Sequence, residues 1–370
     1  MNRIHLLIIF VLISTFSVGA TGKFTSKEHL ANEIEQIISK TRTKGIAVAM
    51  IEPNGEVWSY VSGQANVKTN KAVTNATQFR LGSLSKIFVA MSVLKLVEQG
   101  KLSLEDSLHK LAPEIEFTNP WQNTDPITIA HLIEHTTGWD APHFTELAHN
   151  NSLPISTLDA LALHPHSRTS RWPPGSRTAY NNTGPVVAAY VIEKITGMRF
   201  EQFVKQTFLL PLGMNNTDYF YTDNYKNNAA SLYRGEQEQP YQHLPLRAAG
   251  ALNSNLNDLI IFSQFLLAGK SGVYVDILSQ SSFLLMQRPY NSLAKTAGVE
   301  LGFGLGTTML HHNGYVYHGH EGAMRGANSL IVYQNELGVA HIIMTNSETP
   351  AASEVHKLLA EFETQHADKT

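Results

Sequence analysis

Hydrophobic residues recur with helical spacing near both ends of the chain. A helically spaced set of apolar side chains follows Ser26: Leu30, Ile34, Ile37 and Ile38. This spacing places them on one face of an α-helix, and serine is a residue type that caps helix N-termini. Residues 352–362 show the same amphipathic pattern. The chain is therefore predicted to begin and end with a helix that packs one face on a core.

Apolar runs typical of buried strands follow the first predicted helix and precede the last one. Residues 46–51 are continuously apolar, and the Pro-Asn-Gly turn signal at residues 53–55 leads into a second strand over residues 56–61. Three further strands are predicted near the C-terminus, over residues 315–318, 327–333 and 339–345. Strands thus lie on both sides of a long central segment.

The central segment has the pattern of helices joined by long polar connections. Helices are predicted over residues 87–97, 129–135, 184–196, 200–208 and from a cap at Ser254 to residue 269. Polar loops are predicted at residues 119–125, 164–175 and 218–243. We therefore predict an α/β (α+β) fold, in which residues 21–82 and 299–370 form one antiparallel sheet flanked by the terminal helices. Residues 83–298 are predicted to form an inserted, mostly helical domain.

Composition narrows the functional classes. The 370 residues are 43% hydrophobic, which is enough for a substantial core, and the net charge of −3 provides no basic field for nucleic acid. The chain has no cysteine, so disulfides, thiolate metal ligands and a cysteine nucleophile are excluded.

The first 20 residues have the form of a signal peptide. Arg3 precedes an apolar run over residues 6–18 that is short for a membrane span, and small residues lead to a predicted cleavage after Ala20. We therefore expect a periplasmic or secreted protein with no membrane span after signal removal. An uncleaved N-terminal anchor is the alternative.

Ser83 and Lys86 are the first candidates for catalysis. Gly82 precedes them and an apolar helix follows, so unpaired N–H groups at the helix start would suit an oxyanion. Lys86 shares a helical face with Ser83, and a lysine in an apolar site can lose its charge and accept the hydroxyl proton. The motif alone is weak, because Ser-x-x-Lys also occurs by chance elsewhere: Ser92 and Lys95, Ser107 and Lys110, and Ser292 and Lys295.

Two further segments carry groups that a nucleophilic serine needs. Tyr180 and Asn182 follow the rigid Pro-Pro-Gly turn at residues 173–175, and a tyrosine beside a lysine can hold a depressed pKa and exchange protons. An amide such as Asn182 can hold the lysine and a substrate carbonyl. Residues 319–326 follow a predicted strand and are rich in glycine, so substrate could approach their backbone closely.

The order of these motifs resembles the serine β-lactamase and penicillin-binding-protein family, specifically its class C β-lactamase, DD-peptidase and esterase branch. Three motifs carry the resemblance: Ser83-x-x-Lys86, Tyr180-x-Asn182 and His320-x-Gly322. Residues 128–138 and the Pro-Gly pair at residues 174–175 also resemble the family, and the likeness covers nearly all of the mature chain. It implies a helix-flanked antiparallel sheet, with the site between the sheet and the inserted helices.

The resemblance also implies a role for each matched residue. Ser83 would be the acylated nucleophile, and Lys86 and Tyr180 would handle its proton, with the identity of the base left open. Substrate would be held by Asn182, His320, Gly322 and Ala323. His320 and Gly322 would lie on an edge strand, and the backbone N–H groups of Ser83 and Ala323 would form the oxyanion hole. No cofactor or metal is implied.

His320 departs from the dedicated class C β-lactamases, which usually carry lysine at this position. An imidazole offers less fixed positive charge to a substrate carboxylate, although Arg325 is a possible substitute cation. We therefore predict an exported serine hydrolase acting on D-amino-acid peptides of cell-wall type or on small esters and amides. Specificity would come from loops at residues 119–149 and 218–246. The alternatives are a β-lactamase and a penicillin-binding sensor that barely turns over.

A zinc hydrolase is the alternative from another class. His131, Glu134 and His135 match the His-x-x-Glu-His pattern of inverted zinc peptidases, in which two histidines one helical turn apart hold the metal. With 17 histidines in the chain, a third ligand is easily found.

Overall fold

The computed structural model describes residues 26–148, 155–299 and 301–367. The predicted signal peptide and its cleavage point after Ala20 lie outside these residues. The strands are β1 (Gly45–Ile51), β2 (Val57–Asn66), β3 (Lys71–Ala72), β4 (Phe79–Arg80), β5 (Leu232–Arg234), β6 (Gln237–Gln239), β7 (Asn253–Ser254), β8 (Thr308–His312), β9 (Tyr315–Met324), β10 (Ala327–Gln334) and β11 (Val339–Thr345).

The helices alternate with long connections, as the polar pattern predicted. They are α1 (Lys27–Thr41), α2 (Ser85–Glu98), α3 (Leu108–Leu111), α4 (Ile129–Ile133), α5 (Phe144–Leu147), α6 (Thr157–Ala162), α7 (Thr183–Thr196), α8 (Phe200–Val204), α9 (Leu210–Leu212), α10 (Asp223–Asn228), α11 (Arg247–Gly250), α12 (Leu256–Ala268), α13 (Gln280–Met286), α14 (Leu293–Ala297) and α15 (Ala351–Ala367). Short 3₁₀ turns span Gly82–Leu84, Pro165–Ser167 and Gly269–Ser271, and a π-helical turn spans Lys205–Leu209.

The two predicted sets of strands join in one seven-stranded antiparallel sheet, in the order β3-β2-β1-β11-β10-β9-β8. The junction is the pairing of β1 with β11, in register from Ile46 opposite Thr345 to Ile51 opposite Ala340. Every residue of both strands is buried, because α1 and α15 cover one face of the sheet and α12 covers the other. The prediction of a helix-flanked antiparallel sheet is confirmed.

Helix caps show how closely the pattern fixes the element ends. The Ser26 hydroxyl accepts from the N–H of His29 at 3.2 Å, as predicted for the start of α1. The predicted cap of α12 at Ser254 is wrong by one residue. Asn255 caps that helix by accepting from the N–H of Asp258, while Ser254 lies in β7.

Short strands account for the other differences between the predicted and the observed elements. Residues 218–243 were predicted to be a loop, yet they contain α10 and the hairpin of β5 and β6, whose strands are three residues long and mostly polar. Strand β8 was not predicted, because two of its five residues are histidines. No helix in the described parts of the chain is long and apolar enough to cross a bilayer.

Candidate active site

Ser83 and Lys86 lie where α2 begins. Gly82–Leu84 forms a 3₁₀ turn that leads directly into the helix, and Gly82 has a φ of +54°, which glycine adopts readily. Lys86 Nζ lies 2.9 Å from Ser83 Oγ and donates to the carbonyl of Ala249 at 2.7 Å. The predicted contact between serine and lysine is therefore present.

Lys86 is almost fully buried in the first turn of α2. Only 1% of its surface is exposed, and no carboxylate among the described residues forms an ion pair with it. Burial lowers its pKa well below the ordinary value, because an ammonium group loses its hydration there without gaining a counter-ion. The amine is thus suited to accept a proton.

The backbone of β9 packs tightly against the turn that carries Ser83. A β-carbon added to Gly82 would lie 3.0 Å from the backbone nitrogen of Ala323, and one added to Gly322 would lie 1.9 Å from the carbonyl oxygen of Leu81. The Ser329 hydroxyl also donates to Leu81 O at 2.8 Å. The sequence thus brings the backbone of Ala323 beside the turn that carries Ser83 by placing glycines at the two closest approaches.

The strand edge that is open at the site belongs to β9, which is not the outermost strand of the sheet. We predicted that His320 and Gly322 lie on an edge strand, but β8 is the last strand beside β9. β8 starts at Thr308, opposite Gly319, so the part of β9 from His320 onward extends beyond its neighbour. The motif also lies inside β9 rather than after a strand.

Tyr180 completes the group of side chains around Ser83. Its hydroxyl hydrogen-bonds to Ser83, and its ring centre lies 5.0 Å from Lys86 Nζ. Burial of the hydroxyl raises the pKa of Tyr180 to about 12, and the bond to Ser83 offsets this only in part. The expectation of a depressed tyrosine pKa is therefore wrong, because burial penalises the phenolate.

The two asparagines after Tyr180 differ in their contacts. Asn181 Oδ1 accepts from the N–H groups of Thr183 and Gly184 at 2.6 and 3.0 Å, so it caps the first turn of α7. The Asn182 side chain is partly exposed, and no hydrogen bond joins it to another described residue. Asn182 is thus the amide of the pair that is available to substrate.

His320 is almost fully enclosed, with 4% of its surface exposed. Its Nδ1 lies 2.5 Å from the carbonyl oxygen of Glu321, and a carbonyl can only accept, so Nδ1 carries the hydrogen. Nε2 then presents a lone pair, and it has no hydrogen-bond partner among the described atoms. Burial, with the nearby Lys86, lowers the pKa of His320 to about 3.

Sequence reasoning did not predict the packing of two residues on this group, since it considered His135 only as a zinc ligand and did not propose Phe303 as a site residue. His135 stacks on Tyr180 with ring centres 4.5 Å apart, and Phe303 contacts His135 edge-on at 4.9 Å. His135 accepts from the N–H of Asn181 through Nδ1 at 3.2 Å, and burial lowers its pKa well below the ordinary value. The glycines around Phe303 were the only sequence signal for this segment.

The geometry that the zinc alternative requires is absent from this segment. Helix α4 ends at Ile133, and His135 has a φ of +60°, so His131 and His135 do not share a helical face. His131 Nδ1 accepts from Thr128 N at 3.1 Å. Both oxygens of Glu134 accept backbone N–H groups: those of Tyr290, Asn291 and Ser292.

Taken together, the fold and a serine in contact with a buried lysine are typical of serine hydrolases. A family model described as Beta-lactamase matches residues 30–366, and the chain belongs to this family.

Two penicillin-binding proteins are similar in sequence. Penicillin-binding protein 4 of Amycolatopsis lactamdurans is 23% identical over 330 residues, which cover 86% of this chain and 84% of that protein. Penicillin-binding protein 4* of Bacillus subtilis is 29% identical over 206 residues, 53% of this chain. That match spans only 42% of the Bacillus protein's length.

Two solved structures share the fold. An octameric penicillin-binding protein homologue from Pyrococcus abyssi superimposes with a TM-score of 0.76 at 24% identity, covering 91% of this chain and 78% of that one. The D-amino acid amidase from Ochrobactrum anthropi SV3, complexed with L-phenylalanine amide, gives a TM-score of 0.73 at 19% identity. It covers 92% of this chain and 98% of the amidase chain.

Proposed function

We propose that this protein is a serine hydrolase that forms an acyl-enzyme at Ser83 and acts on D-amino-acid peptides, small amides or small esters. The observation that carries the proposal is the 2.9 Å contact between Ser83 Oγ and a lysine that is buried without a counter-ion. A hydroxyl becomes a useful nucleophile only when a neighbouring base takes its proton. Lys86 is the group positioned to do so.

Lys86, rather than Tyr180, is the base in this proposal. The neutral amine takes the proton of Ser83 as Oγ attacks the substrate carbonyl, and a tetrahedral oxyanion forms. Tyr180, whose pKa of about 12 keeps it protonated, donates its proton to the leaving nitrogen or oxygen and recovers one from Lys86. Water then attacks the ester at Ser83 by the same route in reverse, which releases the acid and restores Ser83.

The oxyanion hole is assigned to the backbone N–H groups of Ser83 and Ala323. The close approach of Ala323 to Gly82 supports this assignment, because it places the backbone of Ala323 beside the turn that carries Ser83. Hydrogen bonds aimed at the developing charge in an enclosed site are the largest single contribution to many acyl transfers.

The Nε2 lone pair of His320 should favour the binding of uncharged substrates over that of carboxylates. Its Nε2 lone pair attracts an N–H or O–H donor, and repels the carboxylate that a lysine at this position would attract. Arg325, the other cation considered, is exposed in the turn between β9 and β10. We therefore place amides and esters first, peptides with a free C-terminal carboxylate second, and β-lactams last. The name of the Ochrobactrum neighbour, a D-amino acid amidase, agrees with this order.

A matched pair of substrates tests the proposal. D-alanyl-D-alanine and its C-terminal amide differ only in the carboxylate, and we expect a higher kcat/KM for the amide. Ser83→Ala should abolish turnover of both, while Ser92→Ala, in the chance motif on the same helix, should keep it. Full activity in Ser83→Ala would overturn the mechanism. A stable penicillin adduct without turnover of either substrate would favour the sensor alternative instead.

Export is a separate part of the proposal, and it rests on the pattern of the first 20 residues. We expect a mature chain that begins at Thr21 in the periplasm or the medium. N-terminal sequencing of the protein from a cell fraction tests it, and a chain that keeps Arg3 would contradict cleavage.

A further inference from the structure

Three histidines outside the catalytic group lie together on the surface. His143, His164 and His166 each offer a ring nitrogen, and these atoms lie within 4.8 Å of one another. The rings of His143 and His164 stack at 4.2 Å, and the Nε2 atoms of His143 and His166 are 2.9 Å apart. We refer to these three residues as the histidine cluster.

The spacing of the cluster fits a transition-metal ion. Zinc binds imidazole nitrogen at about 2.0–2.1 Å, which in a tetrahedral site separates two ligand atoms by about 3.3 Å. The present separations lie on both sides of that value, at 2.9 Å for one pair and up to 4.8 Å for the widest. His143 and His166 are exposed, so small rotations of their side chains can equalise the distances.

The ligands come from two segments whose backbones are already paired. Asp140 N donates to Ser167 O at 3.1 Å, and Arg171 N donates to Gly138 O at 3.0 Å. A side-chain ion pair between Asp140 and Arg171 adds to this contact. Since the backbone holds the two segments together without a metal, an ion would need to order only the three side chains.

From this geometry, we propose that the histidine cluster binds one divalent transition-metal ion of the Zn²⁺, Cu²⁺ or Ni²⁺ kind. Imidazole suits these ions, and three histidines leave one coordination position for water. The bound ion would tie residues 138–147 to residues 164–171. It lies outside the catalytic group and takes no part in the chemistry at Ser83.

The same surface segment contacts the catalytic region on two sides. The Asn181 amide, next to Tyr180, donates to the carbonyl of Asp140. Leu246 donates through its N–H to Glu146 O at 3.3 Å, and it directly precedes α11, whose Ala249 carbonyl holds Lys86. An ion in the histidine cluster would therefore stabilise a segment that supports both sides of the site.

Zinc titration of the full chain, purified without a histidine tag and stripped with EDTA, tests the proposal. We expect calorimetry with ZnCl₂ at pH 7.5 to show one ion per chain. The double variant His164→Ala/His166→Ala should bind at least tenfold more weakly. His109→Ala, which removes an exposed histidine on α3, should bind as the wild type does. Zinc should also raise the Tm of the wild type and of His109→Ala, but not that of the double variant.

Two results would overturn the proposal. One is equal zinc affinity in the wild type and the double variant, which would mean adventitious binding by other surface histidines. The other is no binding by the wild type at zinc concentrations up to 100-fold above the protein. Each substitution changes a side chain that is at least partly exposed, and circular dichroism should confirm that each variant is folded before titration.

Discussion

Gly322→Ala tests most directly the contact between β9 and the turn that carries Ser83. The added β-carbon would lie 1.9 Å from Leu81 O and 2.3 Å from Ser329 Oγ. The φ of Gly322 is not in the left-handed region, so an alanine backbone is accommodated and the effect is steric. Leu81 is two residues before Ser83, and the next residue on the strand is Ala323. The collision therefore acts on both proposed halves of the oxyanion hole.

The size of the effect follows from the distances. Relieving the contact with Leu81 O from 1.9 Å to about 3 Å requires β9 and the turn to separate by roughly 1 Å. A displacement of about 1 Å in a catalytic arrangement costs on the order of 100-fold in rate, or about 2.7 kcal/mol of transition-state stabilisation. Overpacking should also lower the free energy of unfolding by about 1–3 kcal/mol.

The assay is kcat/KM for an activated ester, measured beside urea unfolding of the same preparation. We expect about a 100-fold loss with a folded protein at room temperature. Glu321→Ala is the matched control, because it changes the exposed neighbour on the same strand and should stay near wild-type activity. A folded Gly322→Ala variant that works within threefold of wild type would refute the proposed role of this close approach.

Three further predictions follow from the buried polar groups. Lys86→Ala should reduce the acylation rate by about 100-fold or more, whereas Lys95→Ala should leave it unchanged. In the wild type, the acylation rate measured by stopped flow should rise with pH through a pKa below 10.5, the ordinary value for lysine. Lowering the pH from 6.5 to 5 should cost about 1.6 kcal/mol of unfolding free energy at His356, because its pKa of about 3 means that only the unfolded chain binds a proton there in this range. Urea unfolding of His356→Gln should show a flatter dependence on pH. Glu134→Gln should lower the free energy of unfolding by about 1–3 kcal/mol, because an amide cannot accept all three backbone N–H groups, and a loss of bound zinc on this change would instead revive the metal alternative.

The parts of the fold that could be predicted are those in which burial requires a recognisable pattern of apolar residues. β1 and β11 are covered on both faces, so each is a continuous apolar run. The three-residue strands β5 and β6 are held by contacts with distant segments. For example, Tyr233 N donates to Gly326 O and Asn346 O. Nothing in the local pattern records such partners.

In the site, too, contacts between residues close in the chain could be predicted, and contacts between distant residues could not. The contact between Ser83 and Lys86 is local, because three residues along a helix bring two side chains together. The packing of His135 and Phe303 on Tyr180 joins residues far apart in the chain, so it could not be predicted from spacing. The histidine cluster is also non-local, since the pairing of two surface segments brings His143 to the others.

The protonation states of the buried side chains in the site favour Lys86 as the proposed base. Tyr180 remains protonated because burial penalises its phenolate, and His135 and His320 remain neutral because burial penalises their charged forms. To exchange a proton in the free protein, each of these rings would have to become charged, and burial disfavours the charged form. Lys86 is the exception, since burial favours its neutral amine. In the proposed mechanism, the proton from Ser83 then creates the single positive charge of the site, opposite the developing oxyanion. A histidine at position 320 suits this arrangement because it adds a hydrogen-bond acceptor without adding a competing charge.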